Sequence, residues 1–201
     1  RLQPLRAIHC FFDAADFTVR LADALHRRGW MSLLIDTRGR APADSPARSL
    51  FDWRQQIARG QLHTLPMSYG SRWHAPGLRG DELALAGLAQ EHDCLLLDAG
   101  HAPAWTPLPG AAHTLVIEAT ATQASLLHGY ALLKTLSALG GAASVGLLGD
   151  AGACDRLQAA CAQFLDPAFC RAVYSVADEV DAFAALAARM TSEENGPDGP
   201  Q

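Results

Sequence analysis

Apolar positions along this chain follow two rhythms. Short continuous apolar runs alternate with longer stretches in which apolar residues return every three or four positions. Residues 5–12 form the first continuous run and predict a buried strand. Residues 13–28 predict a helix, with Phe17, Leu21, Ala24, Leu25 and Arg28 along one side. Arg27, Arg28 and Gly29 suit its end, since cations favour the last turn and glycine the reversal. Residues 30–35 predict a second buried strand, too continuously apolar for an edge, which ends at Asp36. Strand, helix and strand within about thirty residues make the βαβ unit that opens a parallel sheet.

The same alternation continues. Residues 37–48 carry Gly39, Pro42 and Pro46 and predict a loop. Ser49 is placed to cap a short helix to residue 59, with Leu50, Trp53 and Ile57 inward. Residues 62–67 predict a short strand interrupted by Pro66, and 68–80 a long loop rich in Gly, Ser, Arg and aromatics. Asp81 opens a helix to residue 90, and 94–97 is a strong strand ending in Asp98-Ala99-Gly100-His101. After a proline-rich loop over 102–110, residues 114–118 predict a strand. Residues 123–139 predict a long helix with Leu126, Tyr130, Leu133, and Leu136 or Ser137 inward. A strand over 145–148 is followed by a helix over 154–164, with Leu157, Cys161, and Phe164 or Leu165 inward. Residues 172–174 predict a last short strand, and 179–190 a closing helix with Val180, Phe183, Leu186, Ala187 and Met190 inward. The expectation is an α/β fold: a mainly parallel central sheet with helices on both faces, and Leu33, Leu34, Leu95, Leu96, Val116 and Leu147 in its interior. A single domain over 1–190 is expected, then a disordered acidic tail over 191–201.

Composition narrows the class. The 201 residues suit one domain, and a net charge of −5 argues against a nucleic-acid partner. No apolar run reaches membrane-span length and no signal-peptide pattern opens the chain, so no direct membrane insertion and a cytoplasmic location are expected. The chain opens on Arg1 rather than Met, which predicts a further segment before it. Its five cysteines are odd in number and lack any CxxC, which predicts reduced, structural thiols.

The turn between the first strand and helix carries the main functional clue. In many βαβ units this turn holds phosphate, which needs glycines to curl backbone amides round the anion and usually a lysine. Here it reads Cys10-Phe11-Phe12-Asp13-Ala14-Ala15-Asp16, with no glycine before Gly29. Two aspartates would repel an incoming phosphate, and the one lysine of the chain is the distant Lys134.

The order of elements resembles the MinD/ParA family of dimeric P-loop ATPases over about residues 5–190. Leu21-Ala22-Asp23-Ala24-Leu25, Arg28-Gly29 and Leu33-Leu34-Ile35-Asp36 are similar to its first helix and second strand. His92-Asp93-Cys94-Leu95-Leu96-Leu97-Asp98-Ala99-Gly100 resembles its "YDYVLIDTG" Walker-B strand, and Ala112-His113-Thr114-Leu115-Val116-Ile117 the "AD-VLLV" strand after it. Tyr130-Ala131-Leu132-Leu133-Lys134-Thr135-Leu136 is similar to the "YALIKVL" helix of the flagellar-number regulators, the FlhG/FleN branch. Leu50-Phe51-Asp52 through Leu65-Pro66-Met67-Ser68-Tyr69-Gly70 is similar in layout to that branch's "TLHDVL … VLPGGSG" segment.

The departures from the family are concentrated at its nucleotide site. The "GKGGVGKT" loop has no counterpart over residues 8–15, and both family lysines are absent. The asparagine that helps hold adenine falls at Gly149 or Asp150, and an acidic tail replaces the membrane-binding basic helix of MinD. The resemblance thus implies a degenerate member without a nucleotide cofactor, in which Asp36 and Asp98 are relics of magnesium- and water-positioning acids. Its partner would be a protein: a true MinD/ParA-type ATPase, or a flagellar or polar assembly factor. A role in a secretion or cellulose-synthesis apparatus served by the same family is a second implication.

Other candidate chemistry is thinner. Asp36, Asp98 and His101 share the carboxyl-terminal rim and could form a metal cluster, the basis of a competing reading as a metal-dependent enzyme. A His9/Cys10 nucleophile pair is disfavoured, because neighbours on a strand point to opposite faces. Ser125 and His128 lie three apart on a helix with no orienting acid, and are expected on its surface. Phe11 and Phe12 are expected to plug the space of a phosphate loop, or to be core. Seven arginines lie between Arg38 and Arg79. Arg38, Arg40, Arg72 and Arg79 with Tyr69 and Trp73 make the candidate partner-binding surface, since arginine and aromatics are enriched at interface hot spots.

Overall fold

The structure is a computed structural model, and it describes residues 5–14, 16–36, 63–66, 77, 79–80, 91–139 and 143–192. The helices expected over 49–59 and 81–90 lie outside the described residues, as does the tail from residue 193.

Seven strands form one sheet: β1 (Arg6–Phe11), β2 (Ser32–Asp36), β3 (His63–Pro66), β4 (Cys94–Asp98), β5 (Ala112–Ala119), β6 (Ala143–Gly149) and β7 (Val173–Ser175). Their spatial order is β3-β2-β4-β1-β5-β6-β7, and every neighbouring pair runs parallel. The helices are α1 (Phe17–Arg27), α2 (Gln123–Leu139), α3 (Ala151–Phe164), the short α4 (Pro167–Cys170) and α5 (Ala182–Ser192). The expected α/β class is therefore the observed one.

The continuously apolar strands are the central ones, because a parallel sheet covered on both faces buries every side chain. Leu33, Leu34, Leu95, Leu96, Val116 and Leu147 are all at most 3 % exposed. Alternation along β1 divides its side chains between two cores. Ile8, Cys10 and Phe12 join Leu21 and Leu25 of α1 and Phe183, Leu186 and Met190 of α5 on one face. Phe11 joins Leu115 and Ile117 with Leu132, Leu133 and Leu136 of α2 and Leu157 and Cys161 of α3 on the other.

The crossover from β4 to β5 is a strap with no helix over residues 99–111. It starts where the Ala99 and Gly100 amides donate to the Cys10 carbonyl (2.9 and 3.2 Å). Trp105 and Leu108 are buried along it, and Trp105 joins the second core.

Several expected details are corrected. Arg28 is exposed rather than on the inner stripe of α1, and its Nε donates to Thr191 Oγ1 at 3.2 Å. The closing helix begins at Ala182, not 179, because the Asp181 carboxylate caps the Ala184 amide at 3.0 Å. Val180 thereby stays outside the helix and is fully exposed. Helix α5 also includes Thr191 and Ser192, two residues expected to belong to the tail. Of the pair Phe164 or Leu165, Leu165 packs on the core while Phe164 is 64 % exposed. All five cysteines are free, four of them buried.

Candidate functional site

The carboxyl ends of β1, β2, β4 and β5 form the rim on which ligands bind in open parallel sheets. Register places Cys10 beside Asp98 and Ile35 beside Leu97, so Asp36, the next residue of β2, ends its strand level with Asp98. The two acids singled out in the sequence are thus brought to neighbouring strand ends. Asp98 is 4 % exposed. Burial pushes the Cys10 thiol well above its usual range, and the negative charge of Asp98 adds to this. A thiol held protonated in this way is a small hydrophobe, not a nucleophile. His9 turns to the opposite face from Cys10, as strand alternation requires.

The turn after β1 is closed from within. Glu118, near the end of β5, reaches under it, and one carboxylate oxygen accepts from the Asp13 amide (2.7 Å) and the Ala14 amide (3.3 Å). Ile117 pairs with Phe11, which sets Glu118 level with the first residue of the turn. Amides converging ahead of a helix are an anion site, and here the anion is the chain's own carboxylate. The turn's aspartates have partners of their own: Asp13 Oδ1 meets His101 Nε2 at 2.8 Å, and Asp16 lies 3.9 Å from Arg20.

Phe11 and Phe12 do not share one pocket. Phe11 packs edge-on to His128 on one face, and Phe12 edge-on to Phe17 and Phe183 on the other. The rings are core on both sides of the strand end, and the closing group is Glu118. His101 is held to Asp13 rather than drawn to Asp98, and no cluster of three or more possible metal ligands occurs among the described residues. Ser125 and His128 are structural in their contacts. Ser125 Oγ accepts from the Thr120 amide, and His128 Nε2 donates to the Ala102 carbonyl at 2.8 Å, tying α2 to the strap. Of the candidate partner-binding residues, Arg79 is exposed, while Arg38, Arg40, Tyr69, Arg72 and Trp73 lie outside the described residues.

A histidine relay pins the strap's far end. His113 Nε2 donates to the Leu108 carbonyl (3.0 Å), which leaves Nδ1 to accept from His9 Nε2 (3.0 Å). Trp105 stands edge-on to both rings. Burial holds the pKa of the fully buried His9 well below its usual 6.5, and the charge of His113 lowers it further. The linkage follows directly. A depressed folded-state pKa means that the unfolded chain takes up the proton first, so this stability is intact above about pH 6.5 and declines as pH falls below it. Urea unfolding measured from pH 7 to 5 should reveal a loss from this group that steepens towards about 1.4 kcal/mol per pH unit at the acid end. In His9→Gln the slope should lessen by one proton's worth; an unchanged slope would exclude His9 as its source.

Glu118 and His113 were not singled out in the sequence. The available signal was local: each is a polar residue at one end of an otherwise apolar strand. A scan with protein-family models finds no match to this chain, and no curated protein matches it.

Proposed function

We propose that this chain is a non-catalytic, MinD/ParA-like protein that has lost ATP and acts by binding other proteins in the cytoplasm. The observation that carries this reading is the Glu118 carboxylate on the Asp13 and Ala14 amides. A phosphate entering there would displace an internal carboxylate and face Asp13, with no lysine to offset the repulsion. A fold whose switch ligand has no seat has no differential affinity with which to drive a nucleotide cycle. Binding is then constitutive, governed by abundance or by the partner's own state. A true MinD/ParA-type ATPase, or a flagellar or polar assembly factor, is the partner class the resemblance favours. No described helix is long and apolar enough to cross a membrane.

Calorimetry with ATP and magnesium tests the reading. No saturable heat is expected at millimolar nucleotide, for wild type or for Glu118→Ala, since the variant still lacks the glycines and lysine. Glu118→Ala should instead lose about 1 kcal/mol of stability, because hydrogen bonds to a partly exposed charge contribute at the low end of their range. Its turn amides should also exchange hydrogen faster. Saturable ATP binding by the wild type would refute the proposal.

A further inference from the structure

A cleft of about 140 Å³ lies at the amino ends of β1, β5 and β6, away from the carboxyl-terminal rim. Its walls are Arg6 and Ile8 of β1, Thr114 of β5, Ser144 of β6, Trp30 from the turn before β2, and Met190 of α5. Strand register brings the first four together. Ile8 pairs with Thr114, Thr114 pairs with Ser144, and Arg6 stands two positions before Ile8, so all four side chains share one face of the sheet. Ile8, Trp30 and Met190 belong to the first core. At this edge that core therefore ends in a guanidinium and two hydroxyls.

The polar groups of the cleft are not fully used. Arg6 is half-buried, with its guanidinium carbon 5.2 Å from the centre of the Trp30 ring, which covers one face. The guanidinium makes neither a hydrogen bond nor an ion pair among the described residues, so its N–H edge is unspent. A cation partly withdrawn from water with no acid beside it carries an uncompensated desolvation cost. Asp93, which like Arg6 acts on the Cys94 thiol, spends Oδ2 on the Met31 amide at 2.6 Å and does not line the cleft. Among the described residues Arg6 is thus the one charged side chain lining it. His113 also lines it, but both its ring nitrogens are engaged, by the Leu108 carbonyl and by His9. The Thr114 and Ser144 hydroxyls lie 3.2 Å apart; one donates to the other, and the second keeps a proton to donate elsewhere.

We propose that this cleft binds a short-chain monocarboxylate, its oxygens on the Arg6 guanidinium and on the remaining hydroxyl donor, and its apolar tail against Ile8 and Met190. An arginine fork matches the two oxygens of a carboxylate. The volume is that of about five waters, which admits an acid of a few carbons and excludes a nucleotide. A phosphate dianion fits less well, since its further oxygens would lie against Ile8 and Met190 without donors. The site stands apart from the closed turn after β1 and does not depend on the reading of the chain as an interaction protein.

The probes are sodium propionate, its neutral counterpart propionamide, and inorganic phosphate, each titrated at fixed ionic strength near neutral pH and followed by NMR. Propionate should saturate in the millimolar range and shift the Trp30 indole N–H and the amides of residues 6–8, 113–114 and 144. Propionamide and phosphate should bind at least about tenfold more weakly. Arg6→Gln should abolish propionate binding, while Arg6→Lys, which keeps the charge but not the fork, should restore only part of it. Ser144→Ala, a small trim that keeps the strand, should weaken it several-fold. Equal binding of propionamide would make the cleft an apolar cavity with no seat for charge, and equal or tighter binding of phosphate would make it a general anion site. Either result overturns the proposal. So would shifts centred elsewhere on the molecule, propionate binding unchanged in Arg6→Gln and Ser144→Ala, or the absence of saturation at tens of millimolar.

Discussion

Truncation of Phe12 to alanine is expected to destabilise the protein by about 3–5 kcal/mol, the usual range for a buried phenylalanine. The residue is 0 % exposed and its ring meets Phe17 and Phe183 at 5.7 and 6.5 Å between centroids. It therefore joins β1, α1 and α5 at one point. The cavity left behind is lined by aromatic rings that belong to different elements, so collapse around it would have to move two helices. Urea unfolding should show the midpoint falling with little change in slope. The variant should gain no affinity for ATP, since the turn amides remain on Glu118. A loss below about 1 kcal/mol would mean that the site repacks and that Phe12 is not the joint described.

Gly149→Ala should cost about 3 kcal/mol, from two independent causes. The backbone there has φ +111°, which side-chain-bearing residues rarely adopt, and holding alanine in it costs about 1–3 kcal/mol. An added Cβ would also stand 2.4 Å from the Ala119 carbonyl oxygen, and overpacking of this kind adds about 1–3 kcal/mol. That carbonyl accepts from the Asp150 amide at 2.8 Å, while the Asp150 carboxylate caps α3 through the Ala153 amide at 2.8 Å. The resemblance to MinD/ParA proteins led to the expectation that Gly149 or Asp150 falls at the place of a base-contacting asparagine. Here both have structural work that explains their identity without a base. Thermal unfolding of Gly149→Ala beside Asp150→Ala checks this, with the cap variant expected to lose only about 1 kcal/mol. Equal losses would show that the glycine's geometry carries no special cost.

What could be read from the chain without coordinates was set by short-range chemistry. The continuous apolar runs at 33–35, 95–97 and 115–117 mark buried parallel strands, since only a sheet covered on both faces tolerates them. Much of the inward stripes of α1 and α2 follows from helical spacing, and Leu133 and Leu136 are buried where that spacing puts them. The missing glycines and lysine of the first turn were equally plain, because a phosphate cradle is a local motif.

The placement of Val180 shows where local reading stops. Its spacing to Phe183 and Ala187 fits a helical stripe, but the Asp181 cap starts the helix after it and leaves the valine in water. The closing of the turn was likewise decided only by the tertiary fold. Glu118 lies 105 residues from Asp13, and nothing in either stretch names the other. The strand order sets β5 beside β1, and the register sets Ile117 beside Phe11, so the carboxylate arrives under the turn's amides. The His9–His113 relay, its partners 104 positions apart, arises from the same neighbouring strands. Sequence by itself determined the seven strands and the longer helices of the described residues, and that the first turn lacks glycines and a lysine, because those properties depend on residues a few positions apart. Which carboxylate meets the turn's amides, and which histidines hold the strap, was decided by strand pairing, because those contacts join residues that only the folded sheet brings within hydrogen-bond reach.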